Sequence, residues 1–362
     1  MKITHIHIER FRGFQNEDFE VGSLLTAIAG QNGTQKSTLL GIITQTFTLK
    51  TEDSMRVEKP LCGGSYISAF KDKFRLSPTF DKPKGHEWTI SFDAGMDDFT
   101  VESIKRTGDP NVRFWKKGAR QEGDGYISFP TIFLSLKRLV PVAEEAKIIT
   151  DDTLLTQEEL NEFKQLHNKI LIAQTPISSA TTITSKNKQS IGVSTELYDW
   201  NQNSMGQDNL GKIILALFSF KRLHDKYPRQ YKGGILAIDE MDATMYPASQ
   251  VELLKVLRKY ASKLNLQILF TTHSMSLLKA MDDLVQEVTK KEETANQAKI
   301  LYLKKVDDKI AIKQGVNFKG IQLDLNVVAE GNNRKKNRIT AYTEDKENIL
   351  FVKAILKSKA FV

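Results

Sequence analysis

The sequence predicts an α/β fold with a mixed central sheet flanked by helices, an antiparallel β-subdomain and a helical insertion. An apolar run at 24–28 passes through a glycine-rich turn into a helical pattern at 37–47, and a second apolar run, at 235–238, ends in two carboxylates. Three further strand-like runs are separated by turn sequences, at 87–94, 99–106 and 112–117. Strands alternating with helices are typical of α/β proteins, and runs joined by short turns are typical of antiparallel sheets.

The glycine-rich turn has the composition of a phosphate-binding loop. It reads AGQNGTQKST from Ala29 to Thr38. Gly30 and Gly33 let the backbone curl so that N–H groups point inward, and the following helix adds its partial positive charge. Lys36 can reach the β- and γ-phosphates of a nucleotide, and Ser37 can hold Mg²⁺. The predicted nucleotide contacts in this loop are Gly30, Asn32, Gly33, Thr34, Gln35, Lys36, Ser37 and Thr38.

One position departs from the phosphate-loop pattern, which has a second glycine directly before the lysine. This chain has Gln35 there. A Cβ at this place requires a negative φ, or else it crowds the nucleotide. We therefore expect nucleotide binding to be kept, whereas turnover is the property that Gln35 puts at risk.

Length and composition are those of an ordinary globular protein. The 362 residues allow two domains or one large domain with insertions, and the hydrophobic fraction of 40% is enough for a sizeable core. The longest apolar runs, such as 213–218, are far too short for a membrane span, and a single cysteine, Cys62, fits a reducing compartment. We expect a cytoplasmic protein without membrane contact. The net charge of +8 is compatible with DNA or RNA contact, although many basic proteins bind neither.

The second apolar run places two carboxylates at the end of a buried strand. Residues 233–240 read GGILAIDE. In a parallel sheet, beside the phosphate-loop strand, Asp239 is expected to help hold Mg²⁺. Glu240 is expected to orient and deprotonate the attacking water. Acidic pairs also commonly just begin a loop, and the upstream phosphate loop is what favours the functional interpretation.

Three further motifs resemble those of the ABC-type ATPases related to RecF and SMC. The run IHIERFRGF at 6–14 resembles the short β-meander that lies over the nucleotide base in these families, which implies that Arg12 contacts ATP. His273 follows an apolar strand at 266–270 and resembles the switch histidine that senses the γ-phosphate. The sequence NSMGQD at 203–208 resembles a diverged signature motif, and it also fits a simple helix cap.

The resemblance implies a head-to-tail homodimer, or a higher homo-oligomer, with sandwiched ATP. In such a dimer Ser204, Gly206 and Gln207 contact the γ-phosphate held by the other copy. The stretch 241–247 corresponds to the D-loop, in which Tyr246 stands where transporters have Asp and OLD-like ATPases often have His. No clear Q-loop glutamine is found.

The motifs and the remaining predicted elements together form an ATPase domain, which is predicted at 1–330. Its β-subdomain is placed at about 60–130 and its helical insertion at about 142–200. The smaller elements are a helix at 156–174, a loop or mobile linker at 175–194, a helix at 209–223 and a hairpin made of 299–304 and 310–313. A strand is predicted at 131–140, in which Lys137 and Arg138 face a nucleotide, DNA or solvent.

The C-terminal stretch at 331–362 resembles the start of a Toprim domain, the nuclease module of OLD-family proteins. It contains a predicted strand at 339–342, an acidic segment and a predicted helix at 348–357. A complete Toprim needs a later Asp-x-Asp strand, which the chain lacks. The segment is therefore predicted to be incomplete: either the domain is truncated in this chain, or the resemblance is a structural remnant only.

Within the superfamily, the loop GQNGTQKS and the stretches NSMGQDNLG and IDEMDATMYP look most like the ATPases of prokaryotic anti-phage defence. The nearest resemblance is to the Septu ATPase and its retron-associated relatives. It implies a platform that controls an HNH-type nuclease partner, with a retron reverse transcriptase and its nucleic acid as further partners. Two alternatives stay open: an OLD-like nuclease with its own Toprim domain, and a non-hydrolysing ATP-bound scaffold.

Overall fold

A computed structural model describes residues 1–50, 53–66, 70–93, 95–105, 112–119, 125–139, 148–151, 154–185 and 189–330. The strands are β1 (Ile3–Phe11), β2 (Phe14–Glu20), β3 (Leu25–Gly30), β4 (Phe47–Thr48), β5 (Glu87–Phe92), β6 (Phe99–Lys105), β7 (Val112–Lys116), β8 (Ile127–Ser128), β9 (Thr131–Leu134), β10 (Ile149–Asp151), β11 (Ser179–Thr184), β12 (Gln189–Ser194), β13 (Gly234–Ile238), β14 (Leu266–Thr272), β15 (Ala298–Val306) and β16 (Lys309–Lys313). The helices are α1 (Lys36–Thr44), α2 (Phe70–Lys73), α3 (Gln157–Leu171), α4 (Met205–Lys226), α5 (Pro247–Lys263), α6 (Met275–Val288) and α7 (Phe318–Glu330).

The central sheet is mixed, as predicted, and has the order β16-β15-β3-β14-β13-β9. All neighbours in it are parallel except the β15–β16 hairpin, which was predicted and is confirmed. Every residue of β3, β13 and β14 is buried, which explains why these strands read as continuous apolar runs. One expectation is wrong: the strand that ends in Asp239 does not lie beside the phosphate-loop strand, because β14 lies between them.

A second, antiparallel sheet has the order β2-β1-β5-β6-β7. The three predicted strands β5, β6 and β7 are confirmed, but they do not form a sheet of their own, because the N-terminal hairpin pairs with β5. Its inner face carries the fully buried Phe11 and Trp88, whose ring centroids lie 5.7 Å apart. Phe11 and Phe14 belong to one hydrophobic core with Ile28 of β3 and Leu39 of α1. Burial of this shared core holds the N-terminal turn against the phosphate loop.

The insertion was expected to be helical, and this expectation is wrong in part. Helix α3 lies in it, but β10, β11 and β12 form a three-stranded antiparallel sheet there as well. The stretch predicted as a loop or linker at 175–194 contains β11 and β12. Their sequences, SATTIT and QSIGVS, hold β-branched residues among the serines that suggested a loop. Backbone pairing and the packing of β12 on α4 decide the structure here.

The helix predicted at 156–174 is confirmed as α3, and its start is specified locally. The side chain of Thr156 accepts a hydrogen bond from the N–H of Glu159, whose carboxylate in turn accepts one from the N–H of Thr156. The same Glu159 carboxylate accepts hydrogen bonds from Arg222 of α4 at 2.6 and 2.7 Å. This ion pair fastens α3 to α4.

The chain divides into two compact units. Two compact units are distinguished, Met1–Ile321 and Gln322–Val362, and the second is described only as far as Glu330, within α7. Helix α7 was not predicted. The Toprim-like segment at 331–362 lies outside the described residues. None of the helices in the described ranges is long and apolar enough to cross a membrane.

Candidate functional site

The phosphate loop connects β3 to α1 in a strongly curled conformation. Gly30 ends β3 with a φ of 152°, and a Cβ on it would lie 2.5 Å from the carbonyl oxygen of Leu303. A side chain is therefore excluded there by both sterics and backbone geometry. Gly33 has a φ of 80°, and a Cβ built on it would have no heavy atom within 4 Å. Gly33 is therefore required by its positive φ, and not by the close approach of a neighbour.

Gln35 does not take the negative φ that a side chain prefers. It has φ 62° and ψ 32°, the left-handed conformation of a glycine, directly before the first residue of α1. A Cβ on Gly13 would lie 2.8 Å from Nε2 of Gln35, so the Gln35 amide lies against the turn between β1 and β2. The backbone of the loop thus keeps the glycine-like course despite the substitution, at a strain of about 1 kcal/mol.

Lys36 is almost fully buried under the loop that it follows. Its Nζ donates to the carbonyl oxygens of Gly30 at 3.0 Å and Gln31 at 2.9 Å. Burial lowers the pKa of this ammonium group to about 8, and the carboxylates of Glu240, Asp239 and Asp242 counteract the decrease. Lys36 is therefore a cation held at the centre of the loop, where phosphate oxygens can replace the weaker carbonyl acceptors.

The remaining loop side chains have different positions. Thr34 is buried, and its hydroxyl donates to the carbonyl oxygen of Gln31 at 2.8 Å. Asn32 is exposed at the tip of the loop. Thr38, in the first turn of α1, accepts a hydrogen bond from Nη1 of Arg12 at 3.3 Å. Thr34 thus braces the loop, while Asn32 and Thr38 border its open side.

Ser37 and Asp239 meet although 202 positions separate them in the sequence. The Ser37 hydroxyl donates to Oδ1 of Asp239 at 2.9 Å, and the Thr271 hydroxyl donates to the same oxygen at 2.7 Å. A hydroxyl and a carboxylate are the hard oxygen ligands that Mg²⁺ takes in phosphate sites, together with water and the phosphates themselves. Among the described residues no three His, Cys, Asp or Glu side chains form a metal cluster, and a phosphate-bound Mg²⁺ needs none.

Glu240 follows in a strained backbone conformation. Its φ is 50°, and its N–H donates to the hydroxyl of Thr271 at 2.6 Å. The left-handed conformation is rare for a residue with a side chain, and such residues cluster at functional sites. Thr271 thus holds both carboxylate residues, Asp239 through its side chain and Glu240 through its backbone.

His273 lies at the same edge of the sheet. Its N–H donates to Oδ1 of Asp242 at 3.4 Å. Burial, followed by the positive charge of Lys36, lowers the pKa of His273, so the ring is neutral near pH 7. A neutral imidazole can donate or accept a hydrogen bond, which suits contact with a phosphate.

Arg12 is held in place by a buried carboxylate. It forms two hydrogen bonds of 3.0 Å to Asp81, and His86 approaches the same carboxylate at 3.1 Å. Burial opposes the charge of Asp81, but the hydrogen bonds from Arg12, from the N–H of Ser77 and from His86 outweigh it and lower the pKa of the carboxyl to about 2. The guanidinium is thereby fixed beside Thr38, at the border of the phosphate loop.

Ser204, Gly206 and Gln207 lie at the start of α4. Ser204 caps α4, and its hydroxyl and N–H form reciprocal hydrogen bonds with Gln207. A Cβ on Gly206 would lie 2.5 Å from the carbonyl oxygen of Thr244, so α4 begins in close contact with the segment after Glu240. The observed partners of these residues are Thr244 and Tyr198, not the phosphate loop of the same chain.

Arg138 corrects the sequence prediction for the end of β9. Strand β9 ends at Leu134, and a 3₁₀ turn covers Leu136–Leu139. Lys137 is exposed, but Arg138 is only 1% exposed and faces neither solvent nor DNA. The burial of Arg138 and the contacts of Thr271 were not predicted, because no local motif marks a residue whose partners are distant in the sequence.

Comparisons with known proteins give one family match and several similar solved structures. The model of the family described as AAA ATPase domain matches residues 1–190 and 141–278. The chain is similar to an SMC head domain from Thermotoga maritima, with 14% identity and a TM-score of 0.47 over 87% of this chain and 100% of that chain. It is also similar to an Smc head domain from Pyrococcus furiosus bound to the C-terminal domain of ScpA, with 12% identity and a TM-score of 0.48 over 91% and 99%.

A structure of the recombination mediator protein RecF is 11% identical, with a TM-score of 0.43, over 87% of this chain and 98% of that chain. No curated protein matched the sequence. The predicted fold class, an α/β P-loop NTPase of ABC-ATPase type, is confirmed.

Proposed function

The chain belongs to the AAA ATPase domain family and is an ATPase, and from that premise we propose its mode of action. It hydrolyses Mg²⁺-ATP as a head-to-tail homodimer or higher homo-oligomer. By this hydrolysis it controls an associated nuclease in anti-phage defence. Residues 1–330 form the ATPase domain in this proposal, and the Toprim-like segment predicted at 331–362 lies outside the described residues. The finer assignment rests on the resemblance of the loop, signature and D-loop sequences to Septu and retron-associated ATPases.

The observation that carries the ATPase part is the hydrogen-bonded group formed by Ser37, Asp239 and Thr271. It joins the phosphate loop to the acidic strand end, with one carboxylate oxygen accepting two hydroxyl donors. In the proposal, Ser37 and Asp239 hold Mg²⁺, which neutralises charge on the phosphates when it is bound. Lys36 and the loop N–H groups bind the phosphate oxygens, and Arg12 contacts the nucleotide from the N-terminal turn.

Glu240 and His273 perform the chemistry in this proposal. Glu240 orients a water molecule and takes its proton as the water oxygen attacks the γ-phosphorus and the bond to the β-γ bridging oxygen breaks, which releases ADP and phosphate. The hydrogen bond from the N–H of Glu240 to Thr271 fixes the backbone from which this carboxylate extends. His273, neutral near pH 7, is suited to hydrogen-bond the γ-phosphate.

The second copy is proposed because the start of α4 contacts Tyr198 and Thr244, and none of its hydrogen bonds among the described residues goes to the phosphate loop of the same chain. Ser204 is exposed, and so are the large apolar side chains of Met205 and Tyr246. Tyr246 in turn donates a hydrogen bond to the carbonyl oxygen of Leu171, beside the exposed Ile172. Exposed apolar side chains around a helix N-terminus are suited to an interface that brings the helix to a phosphate of another copy.

The partners follow from the resemblance and the charge. An HNH-type nuclease and, in retron systems, a reverse transcriptase with its nucleic acid are the proposed partners. The net charge of +8 supports contact with DNA or RNA. The alternative function, an OLD-like nuclease, requires a complete Toprim domain. Incubation of DNA with the purified chain distinguishes the two functions: the DNA stays intact if the nuclease is a partner, and it is cleaved if the chain is itself the nuclease.

The proposal is tested by equilibrium binding of Mg²⁺-ATP to the variant Lys36→Ala. We expect binding to be lost, because the phosphates lose the buried cation at the centre of the loop. The matched control is Lys299→Ala, which removes a partly exposed lysine of β15 that pairs with Glu20 of β2. ATP affinity that is equal in the Lys36 variant and the wild type would overturn the assignment of the site.

The other alternative is a scaffold that binds ATP without hydrolysing it. Gln35 is the residue that keeps this alternative open, since it replaces the second glycine of the phosphate-loop pattern. The observed left-handed backbone of Gln35 and the contact of its amide with Gly13 support ATP binding, which both alternatives require. Turnover by the purified protein would favour hydrolysis, whereas intact ATP recovered without turnover would favour the scaffold.

A further inference from the structure

Arg138 is the most deeply buried cation near the site. Its side chain is 1% exposed and donates four hydrogen bonds. Nη1 donates to the carbonyl oxygens of Leu134 at 3.3 Å and Ser135 at 3.1 Å, at the end of β9. Nε donates to Oδ1 of Asn209 at 2.7 Å, and Nη2 donates to the carbonyl oxygen of Glu240 at 2.7 Å. One guanidinium group thus ties three elements together.

Asn209 continues this connection toward the start of α4. It is fully buried, and its Nδ2 donates to the carbonyl oxygen of Ala243 at 3.0 Å. One turn earlier on the same helix, Gly206 packs against the carbonyl oxygen of Thr244. Helix α4 therefore contacts the segment 240–244 at two successive turns, and its displacement would move that segment.

Glu240 is the first residue of the segment that such a displacement would move. Its φ of 50° is strained, and a strained residue persists only where its surroundings fix it. The carbonyl oxygen of Glu240 accepts hydrogen bonds from both Arg138 and the N–H of Ala243, while its N–H is held by Thr271. Arg138 is the part of this arrangement that links Glu240 to α4.

We propose that Arg138 is a positioning residue that, together with Asn209, transmits engagement of the α4 N-terminus by a second copy to the backbone of Glu240. The proposal rests on the proposed function, in which a second copy contacts Ser204 and Glu240 is the base. When α4 of one copy contacts the phosphate held by the other copy, it then positions the Glu240 carboxylate of its own site, because α4 of each copy contacts the Glu240 segment of that same copy.

The chemistry of the guanidinium explains why arginine serves here. Its planar fork of donors can reach acceptors on three elements at once, whereas a lysine ammonium at the end of a flexible chain cannot reproduce this fixed geometry. Burial lowers the pKa of Arg138 to about 10, so the group stays charged at neutral pH. The nearby carboxylates of Asp239, Glu240 and Asp242 stabilise that charge.

The first measurement is the single-turnover rate constant of ATP hydrolysis and the Kd for Mg²⁺-ATP in Arg138→Lys and Asn209→Ala. We expect the rate constant to fall about tenfold or more in both variants, with Kd within about threefold of wild type. The control is Arg222→Lys, which loosens α4 from α3 through Glu159 without touching Glu240. A weakened Kd at an unchanged rate, or an equal loss of rate in the control, would overturn the proposal.

The second measurement separates this proposal from the proposed function. Specific ATPase activity is recorded against protein concentration, with dimer formation followed by sedimentation. We expect wild-type activity to rise as dimer forms, and Asn209→Ala to form the dimer without the rise. A parallel rise in the variant, or failure of the variant to dimerise, would overturn the coupling role alone. If the specific activity of the wild type does not depend on protein concentration, the proposal of an active homodimer is wrong, and the proposed coupling is wrong with it.

Discussion

Gln35 shows at the scale of one residue how a deviation from a motif is absorbed. The phosphate-loop pattern has glycine at this position because the backbone is left-handed there, and the chain keeps that backbone with a φ of 62°. The amide group of Gln35 lies against Gly13, where a Cβ would be too close. The substitution therefore costs backbone strain, whereas the course of the loop is preserved.

A pair of variants tests this explanation. We expect Gln35→Gly to be more stable than Gln35→Ala by about 1 kcal/mol, because both lose the amide but only alanine retains the left-handed strain. Chemical denaturation gives the difference in the free energy of unfolding, and ATP binding should be kept in both. Equal stability of the two variants would contradict the assigned backbone conformation.

Single residues also mark the limit of sequence analysis. The loop, the acidic pair and His273 could be predicted because each lies within a short motif that carries its own physical reason. Thr271 and Arg138 could not, because their function arises from partners on other strands and helices. Arg138 even reads as an exposed basic residue at a strand end, and only the fold shows it buried.

Elements were predictable where burial imposes a simple pattern. Strands β13 and β14 are continuous apolar runs. Helix α3 has a local signal of another kind, because the Thr and Glu of its capping box stand three residues apart in the sequence. Strands β11 and β12 were missed, because their Ser and Thr content resembles a loop and their stability comes from pairing with each other and packing on α4.

His167 of α3 provides a test at this scale. The residue is 2% exposed, so its ring is almost completely removed from water. Burial lowers the pKa of His167 to about 4, from an ordinary value of 6.5. The unfolded chain therefore binds a proton that the folded chain rejects between pH 6.5 and about 4, and the folded state loses stability as the pH falls through this window.

We expect His167→Leu to remove this loss. The free energy of unfolding of the variant relative to wild type should increase by about 1.4 kcal/mol for each pH unit of acidification within the window. The control is Phe163→Leu, which alters the same packing without a titratable group and should shift stability equally at each pH. A difference between His167→Leu and wild type that does not change with pH would contradict the buried neutral state.

At the scale of the whole molecule, long-range contacts assemble the site from distant parts of the chain. The mixed sheet brings the ends of β3, β13 and β14 to one edge, and the antiparallel sheet holds Arg12 over the same edge. The order of motifs predicted this convergence. The order of strands did not follow from the motifs, because several arrangements of parallel strands satisfy the same sequence pattern.

The central claim is that this site hydrolyses Mg²⁺-ATP with Glu240 as the base. Steady-state ATP hydrolysis by wild type and Glu240→Gln tests it most directly, with Glu252→Gln, a carboxylate on the surface of α5, as the matched control. We predict turnover in the wild type and the control, and a loss on the order of 10²–10⁴-fold in Glu240→Gln with ATP binding kept and the dimer trapped. Equal turnover in all three proteins, or ATP bound without turnover in the wild type, would contradict the claim.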